Sequence, residues 1–278
     1  MKNVVTKTKR GIQYNGLLSS PVIGRSNIII HIHGMAGSYT NHNFYPTMHE
    51  YYPSHEIAFL MVQHSGTGTG AAALERFEDC VEDIQTWVDY VKKIGYTEIW
   101  LQAHSLGAPK IAYYMDMVKP DNIAGLILLS PSEMIGLVHD PIGQKDFDAM
   151  YPEAIKLVAE NKPDTILSHK LWGENLMSAG TFLNLFDEDT NSAIFNYANP
   201  ELGWKTVNNT DVPVLAITGT KDDGIATVME PHLAMKKLES ELISSKRVKT
   251  IVYDGAEHDF IGFEERLVKD VVEFIQAK

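Results

Sequence analysis

The sequence predicts an α/β fold: a mostly parallel central sheet with helices on both faces. Three observations carry this. Short apolar runs alternate with amphipathic stretches along most of the 278 residues, the order expected of βα units. Several runs are continuously apolar, as strands buried on both faces require. The residues with chemical potential fall just after those runs, at the edge where open α/β sheets place their sites.

The elements follow in order. "SNIIIHIHG" (Ser26–Gly34) and "HEIAFLMVQ" (His55–Gln63) have the length and branching of buried strands. "RFEDCVEDIQTWVDYVKKIG" places Phe77, Cys80, Val81, Ile84, Val88 and Val91 on one helical face. "EIWLQ" (Glu98–Gln102) is a further short strand. From Pro109, the residues Ile111, Tyr114, Met115 and Val118 recur at helical spacing until Pro120 ends the run. "IAGLILLSPS" is another buried strand. The pattern resumes with "VPVLAITG", a helix around Met229–Leu238, the strand "RVKTIVYDG" and a last helix from about Phe260 to Ala277.

Between Glu133 and Asn208 the alternation stops. The stretch is polar, yet "PEAIKLVAENK" and "NSAIFNYANP" carry helical apolar spacing, and Trp172, Phe182, Leu185, Phe186, Phe195 and Tyr197 are large and apolar. Bare loops of this length do not occur in compact domains. The expectation is a small helical cap, 133–208, laid over the C-terminal edge of a core made of 1–132 and 209–278. Trp172, Phe182 and Phe186 are its candidates for the wall of a substrate pocket.

Composition bounds the function. Hydrophobic content of 44% and charged content of 22% suit a globular domain. A net charge of −12 and a pI near 5.3 argue against nucleic acid, an anionic membrane or a highly anionic substrate as partner. Cys80 is the one cysteine, so no internal disulfide is expected. Met1–Gly16 shows no apolar core followed by a cleavage site, and no run approaches the roughly 18 apolar residues of a membrane span. The expectation is a soluble cytoplasmic protein. Its oligomeric state stays open, a homodimer being one option.

The most informative stretch is "LQAHSLGAPK" (Leu101–Lys110). Ser105 stands where a strand becomes a helix with almost no loop between. Side chains two positions either side must then be small, and Ala103 and Gly107 are. These are the demands of the G-x-S-x-G nucleophile elbow. A helix N-cap serine is the simpler alternative. The rest of the chain weighs against it, because an acid and then a histidine follow in the required order. "VPVLAITGTKDDG" leaves Asp222 and Asp223 just past one strand, and "TIVYDGAEHDF" leaves His258 just past the last. Only His232 and His258 come after the acids, and His232 lies within a helical stretch. The turn "HIHGMAGS" supplies a candidate oxyanion donor, the Met35 N–H, and the second is the N–H of Leu106 after the serine. Gly34 in that turn and His104 beside the serine are further candidates for substrate contact. His31 and His33 could suggest a metal site, but "GMAGS" adds no ligand, so no metal is expected.

In "HSGTGTGAAALERFEDC", Gly66, Gly68 and Ala71 match a dinucleotide fingerprint. The next strand, however, ends in "LQAHS" with no acid for a ribose. A ligand-binding protein without activity would usually lack one of the three reactive residues, and all are present.

With "HGMAG", "AHSLG", "GTKD" and "AEHDF" in this order, the chain resembles an α/β-hydrolase over nearly its whole length. "WGENLMSAGTFLNLF" and "IFNYANP" are similar to a capped branch that includes siderophore esterases. Ala103 departs from the usual glycine. The resemblance implies a Ser105–Asp222–His258 triad, with the acid three residues after Gly219. It implies an acyl-enzyme on Ser105, no cofactor, and a small-molecule ester as substrate. A thioester, lactone or amide on the same triad, or a non-catalytic binding protein, are the alternatives.

Overall fold

A computed structural model gives the structure of the chain and describes residues 1–20, 27–40 and 42–277. Eight strands form one sheet: β1 (Lys2–Lys7), β2 (Gln13–Ser19), β3 (Asn27–Ile32), β4 (Ile57–Val62), β5 (Glu98–His104), β6 (Ile123–Leu129), β7 (Val214–Lys221) and β8 (Val248–Glu257). They lie in the order β1-β2-β4-β3-β5-β6-β7-β8. The strands from β4 through β3 to β8 run parallel, while β1 and β2 pair antiparallel at one edge. Ser26, the expected start of the β3 run, lies outside the described residues.

The parallel strands are apolar on both sides because helices cover both. Ile28, Ile30 and Ile32 face one apolar core and Ile29 the other. The helices are α1 (Tyr45–Ser54), α2 (Thr69–Ala72), α3 (Asp79–Lys93), α4 (Gly107–Val118), α5 (Met134–Val138), α6 (Gly143–Ala159), α7 (Ala179–Phe186), α8 (Lys205–Asn208), α9 (Asp223–Ala226), α10 (Pro231–Glu241) and α11 (Glu264–Gln276). On one face α1 and α11 bury Tyr52, Leu267 and Val271 against the sheet. On the other, α3, α4 and α10 bury Trp87, Ile111 and Leu238. Helix α3 shows why these segments are helical. Cys80, Ile84, Trp87, Val88 and Val91 form its buried stripe. Asp79 and Glu82 in its first turn and Lys92 and Lys93 in its last complement its dipole.

Three features differ from expectation. The β1–β2 hairpin and α1 have no counterpart in the sequence reading. Helix α1 holds Pro46 and Pro53, which suggest breaks, yet Pro46 occupies the first turn, where no N–H is needed. The last helix starts at Glu264 rather than near Phe260.

Helices α5 to α8 lie between β6 and β7. Their apolar residues form no separate core: Phe182, Leu185, Phe186, Phe195 and Tyr197 join the cluster shared with α3 and α4. Hydrogen bonds tie this insertion down. The buried Glu133 carboxylate accepts from the Ala198 N–H and the Asn199 amide, both at 2.8 Å. The Ser178 N–H donates to the Ala73 carbonyl at 2.8 Å. No described helix is long and apolar enough to cross a membrane.

Candidate active site

The turn between β5 and α4 is strained in the way the small residues predict. Ser105 has φ +54°, the left-handed region, which costs a residue with a side chain about 1–3 kcal/mol unless its surroundings hold it. They do: the Ser105 N–H donates to the Leu129 carbonyl at 3.0 Å, and the Ala108 N–H donates back to the Ser105 carbonyl at 2.9 Å. Gly107 has no alternative, since a Cβ there would lie 2.5 Å from the Ile32 carbonyl oxygen. Ala103 is fully buried, and its methyl fits.

Asp222 and His258 meet across two other strand ends. His258 Nδ1 lies 2.6 Å from Asp222 Oδ1. The Gly224 N–H donates to the same oxygen at 3.0 Å, and the Thr218 hydroxyl donates to Asp222 Oδ2 at 2.6 Å. Asp222 is fully buried; Asp223 is 82% exposed and 3.9 Å from His258. Burial pushes the Asp222 carboxyl up, but the His258 charge and hydrogen bond, with Thr218, hold it below its ordinary value. Burial opposes charge on His258, and Asp222, then Asp223 and Asp259, more than offset this and raise it. The Ser130 hydroxyl and His104 Nε2 both donate to the His258 carbonyl at 3.0 Å.

Ser105 and His258 line one cavity of about 400 Å³, together with Met35, Leu106, Asp223, Ser132, Met134, Leu137 and Trp172. Among the described residues the Ser105 hydroxyl makes no hydrogen bond. A reactive pair commonly tightens only around substrate. The Met35 and Leu106 N–H groups also have no partner among the described residues. A larger open groove between β1 and α3 holds none of these groups.

The other expected contact residues divide. Trp172 lines the cavity from a turn at φ +52°, held by its N–H donating to Asp146 Oδ2 at 2.7 Å. Gly34 abuts the serine: a Cβ would come within 2.9 Å of Ser105 Cβ. Phe182 and Phe186 do not reach the cavity. Both are fully buried, because α7 turns its apolar face onto the shared core, where Phe182 packs 5.6 Å from Phe147 and from Phe186. His104 is no pocket residue either. It points away from the cavity to the His258 backbone, and burial followed by the proximity of His258 and His42 brings it down to about 3. His31 and His33 part company: Gln102 donates to His31 Nδ1 at 2.9 Å, whereas His33 stacks on His64.

The sequence reading missed Ser132, Met134, Leu137, Asp140, Ile142, Glu174, Asn175, Gly224 and Thr227 as cavity residues. Only Gly224 carried a signal, its place after the acid. A Cβ there would lie 2.7 Å from both His258 Cε1 and the Ser132 hydroxyl.

Comparison with known proteins bears on the fold. The chain is similar in structure to Est1E from Butyrivibrio proteoclasticus, with a TM-score of 0.70 and 21% identity over 99% of this chain and 98% of that one. The ferulic acid complex of Est1E gives 0.72 and 20%, covering 98% and 97%. An esterase of Pyrococcus furiosus gives 0.64 and 17%, covering 99% and 90%. A search of curated proteins finds no match. Residues 27–265 match the model of the alpha/beta hydrolase fold, and that span runs from the first parallel strand into the last helix. A strained serine turn between β5 and α4, with an acid after β7 and a histidine after β8, is thus set in a chain that belongs to the alpha/beta hydrolase family.

Proposed function

We propose that the chain is a serine esterase that transfers an acyl group to water through Ser105. The observation that carries this reading is the hydrogen-bonded Asp222–His258 pair opening into the same cavity as Ser105 in its strained turn. Ser105 Oγ attacks the ester carbonyl while His258 Nε2 takes its proton. The tetrahedral oxyanion sits between the Met35 and Leu106 N–H groups, beside the positive end of the α4 dipole. As the carbonyl reforms, the alcohol leaves with the proton from His258. Water then repeats the sequence on the acyl-enzyme: His258 takes its proton, and the acid and a free Ser105 result. Asp222 holds the ring with its proton on Nδ1 and stabilises the imidazolium.

The cavity wall favours a neutral or cationic substrate. Asp140, Glu174 and Asp223 line it, and no lysine or arginine does among the described residues. The insertion supplies Trp172, Met134 and Leu137 to that wall, which supports a role as a cap selecting substrate. Ferulic acid in the related Est1E makes a hydroxycinnamoyl ester a useful test compound, and Trp172 offers a face for it.

A fluorophosphonate probe tests the reading. It should label the wild type covalently and leave Ser105→Ala unlabelled; label retained by the variant would refute the assignment. A panel of p-nitrophenyl esters of rising chain length, with methyl ferulate and amide and thioester analogues, should show ester turnover above the other classes.

A further inference from the structure

The loop "HSGTG" (64–68), whose glycines resemble a nucleotide fingerprint, sits behind the oxyanion turn. Its contacts form a directional network. The rings of His33 and His64 stack with centroids 3.9 Å apart. His33 Nδ1 lies 2.8 Å from the Gly34 carbonyl, and His33 Nε2 lies 2.7 Å from the Thr67 hydroxyl. His64 Nε2 lies 3.3 Å from the His33 carbonyl, and the Gly66 N–H donates to His64 Nδ1 at 3.3 Å. The His64 N–H donates to the Thr67 hydroxyl at 2.9 Å.

A carbonyl only accepts, so His33 carries its proton on Nδ1 and His64 carries its proton on Nε2. His33 Nε2 must then accept, and the Thr67 hydroxyl donates to it. One assignment satisfies every ring nitrogen. It needs both rings neutral, and burial favours that first: it outweighs the Gly34 hydrogen bond and brings His33 down to about 3, and for His64 the His33 ring and then Lys110 add to it. Lys110 is itself fully buried and paired with Glu75.

This network grips the turn that presents Met35. Residues 34–37 wrap the His33 ring so closely that a Cβ on Gly37 would lie 2.7 Å from His33 Nδ1. The Gly68 N–H donates to the Gly37 carbonyl at 2.9 Å. Met35, between these two anchored glycines, has its N–H free among the described residues.

We infer that His64 and Thr67 are positioning residues: acting through neutral His33, they hold the Met35 N–H where the oxyanion develops. The inference rests on the esterase reading for its kinetic consequence, while the ring protonation pattern stands apart from it. Removing an oxyanion donor outright costs about 10²–10³ in kcat, so loosening one costs less, about ten- to hundred-fold.

Thr67 is half-buried, and Thr67→Val keeps its shape while deleting the donor. This variant should lower kcat about ten- to hundred-fold with KM within about twofold, and weaken a trifluoromethyl ketone, which forms a tetrahedral adduct, by the same factor. Thr67→Ser should restore both. Ketone affinity and kcat within twofold of wild type, a loss confined to KM, or no rescue by serine would each overturn the inference. Ring ¹⁵N spectra at pH 7 should show His33 protonated at Nδ1 alone and His64 at Nε2 alone. The opposite tautomer or a doubly protonated ring overturns it even if the wild type hydrolyses no ester. Absence of both ester turnover and Ser105 labelling in the wild type refutes the esterase reading instead.

Discussion

Asp222 and Asp223 share a side chain and differ only in surroundings. Asp222 is enclosed by the Thr218 hydroxyl, the Gly224 N–H and the His258 ring, whereas Asp223 faces water. A carboxylate orients an imidazole only if its own position is fixed, so Asp222→Asn should lower kcat by about ten-thousand-fold, as in related triads. Asp223→Asn should cost far less; steady-state kinetics of the two variants compares them, and a reversed order would move the role to Asp223. The pH profile follows from the same pair. In the proposed mechanism His258 acts as base and must be neutral, so kcat/KM should rise as pH climbs through its pKa. That value is raised above the ordinary 6.5, chiefly by Asp222 against the cost of burial, so the acid limb should lie above 6.5. Asp222→Asn should move the limb down. For stability the sign reverses between partners. The His258 contribution is full below 6.5 and lost as pH rises through the raised value. The Asp222 contribution is present above 3.8 and lost as pH falls through its lowered value.

At the scale of elements, α7 and the turn around Trp172 separate two uses of an aromatic side chain. Helix α7 buries Phe182 and Phe186 because its apolar residues lie on one face, capped at its start by Ser178, whose side chain accepts from the Thr181 N–H at 3.2 Å. Trp172 stands at a turn with φ +52°, closed by the Asn175 N–H donating to Leu171 at 3.0 Å, and packs edge-on to Phe186 with centroids 6.1 Å apart. Phe182→Ala should cost about 3–5 kcal/mol and lower the melting temperature, leaving the ranking of esters by kcat/KM unchanged. Trp172→Ala should do the converse. It raises KM for bulky acyl groups and changes discrimination between short and long esters by roughly ten- to two-hundred-fold, with little effect on kcat. Thermal melts and kinetics on two chain lengths check both; a changed ranking in Phe182→Ala would place that ring at the pocket after all.

For the whole molecule, charge is the property that reaches furthest. The net charge of −12 and the carboxylates of Asp140, Glu174 and Asp223 around the cavity repel an approaching anion. Esters carrying a carboxylate should therefore show lower kcat/KM than neutral ones of equal size. The gap should narrow as ionic strength rises from about 0.01 M to 1 M, where the Debye length falls from about 30 Å to 3 Å. Equal kcat/KM at low salt would contradict the argument.

Much of this architecture was readable because its causes are local. Continuous apolar runs mark strands covered on both faces, and a serine between Ala103 and Gly107 marks a turn too tight for larger neighbours. The order of Ser105, Asp222 and His258 could be set down before their geometry was known, because each follows a strand and the strands are parallel. Other features depend on partners distant in sequence. The antiparallel β1–β2 edge and the proline-bearing α1 become stable only against β4 and α11. The family spacing from Gly219 points to Asp222, but its burial and the exposure of Asp223 come from the packing of Thr218 and His258 around it. Phe182 and Trp172 look alike in the sequence; docking of α7 on α5 and α6 sends one into the core and leaves the other at the cavity. Periodicity records which side of an element is apolar, whereas only packing in three dimensions decides what covers that side, and so which residues meet the substrate.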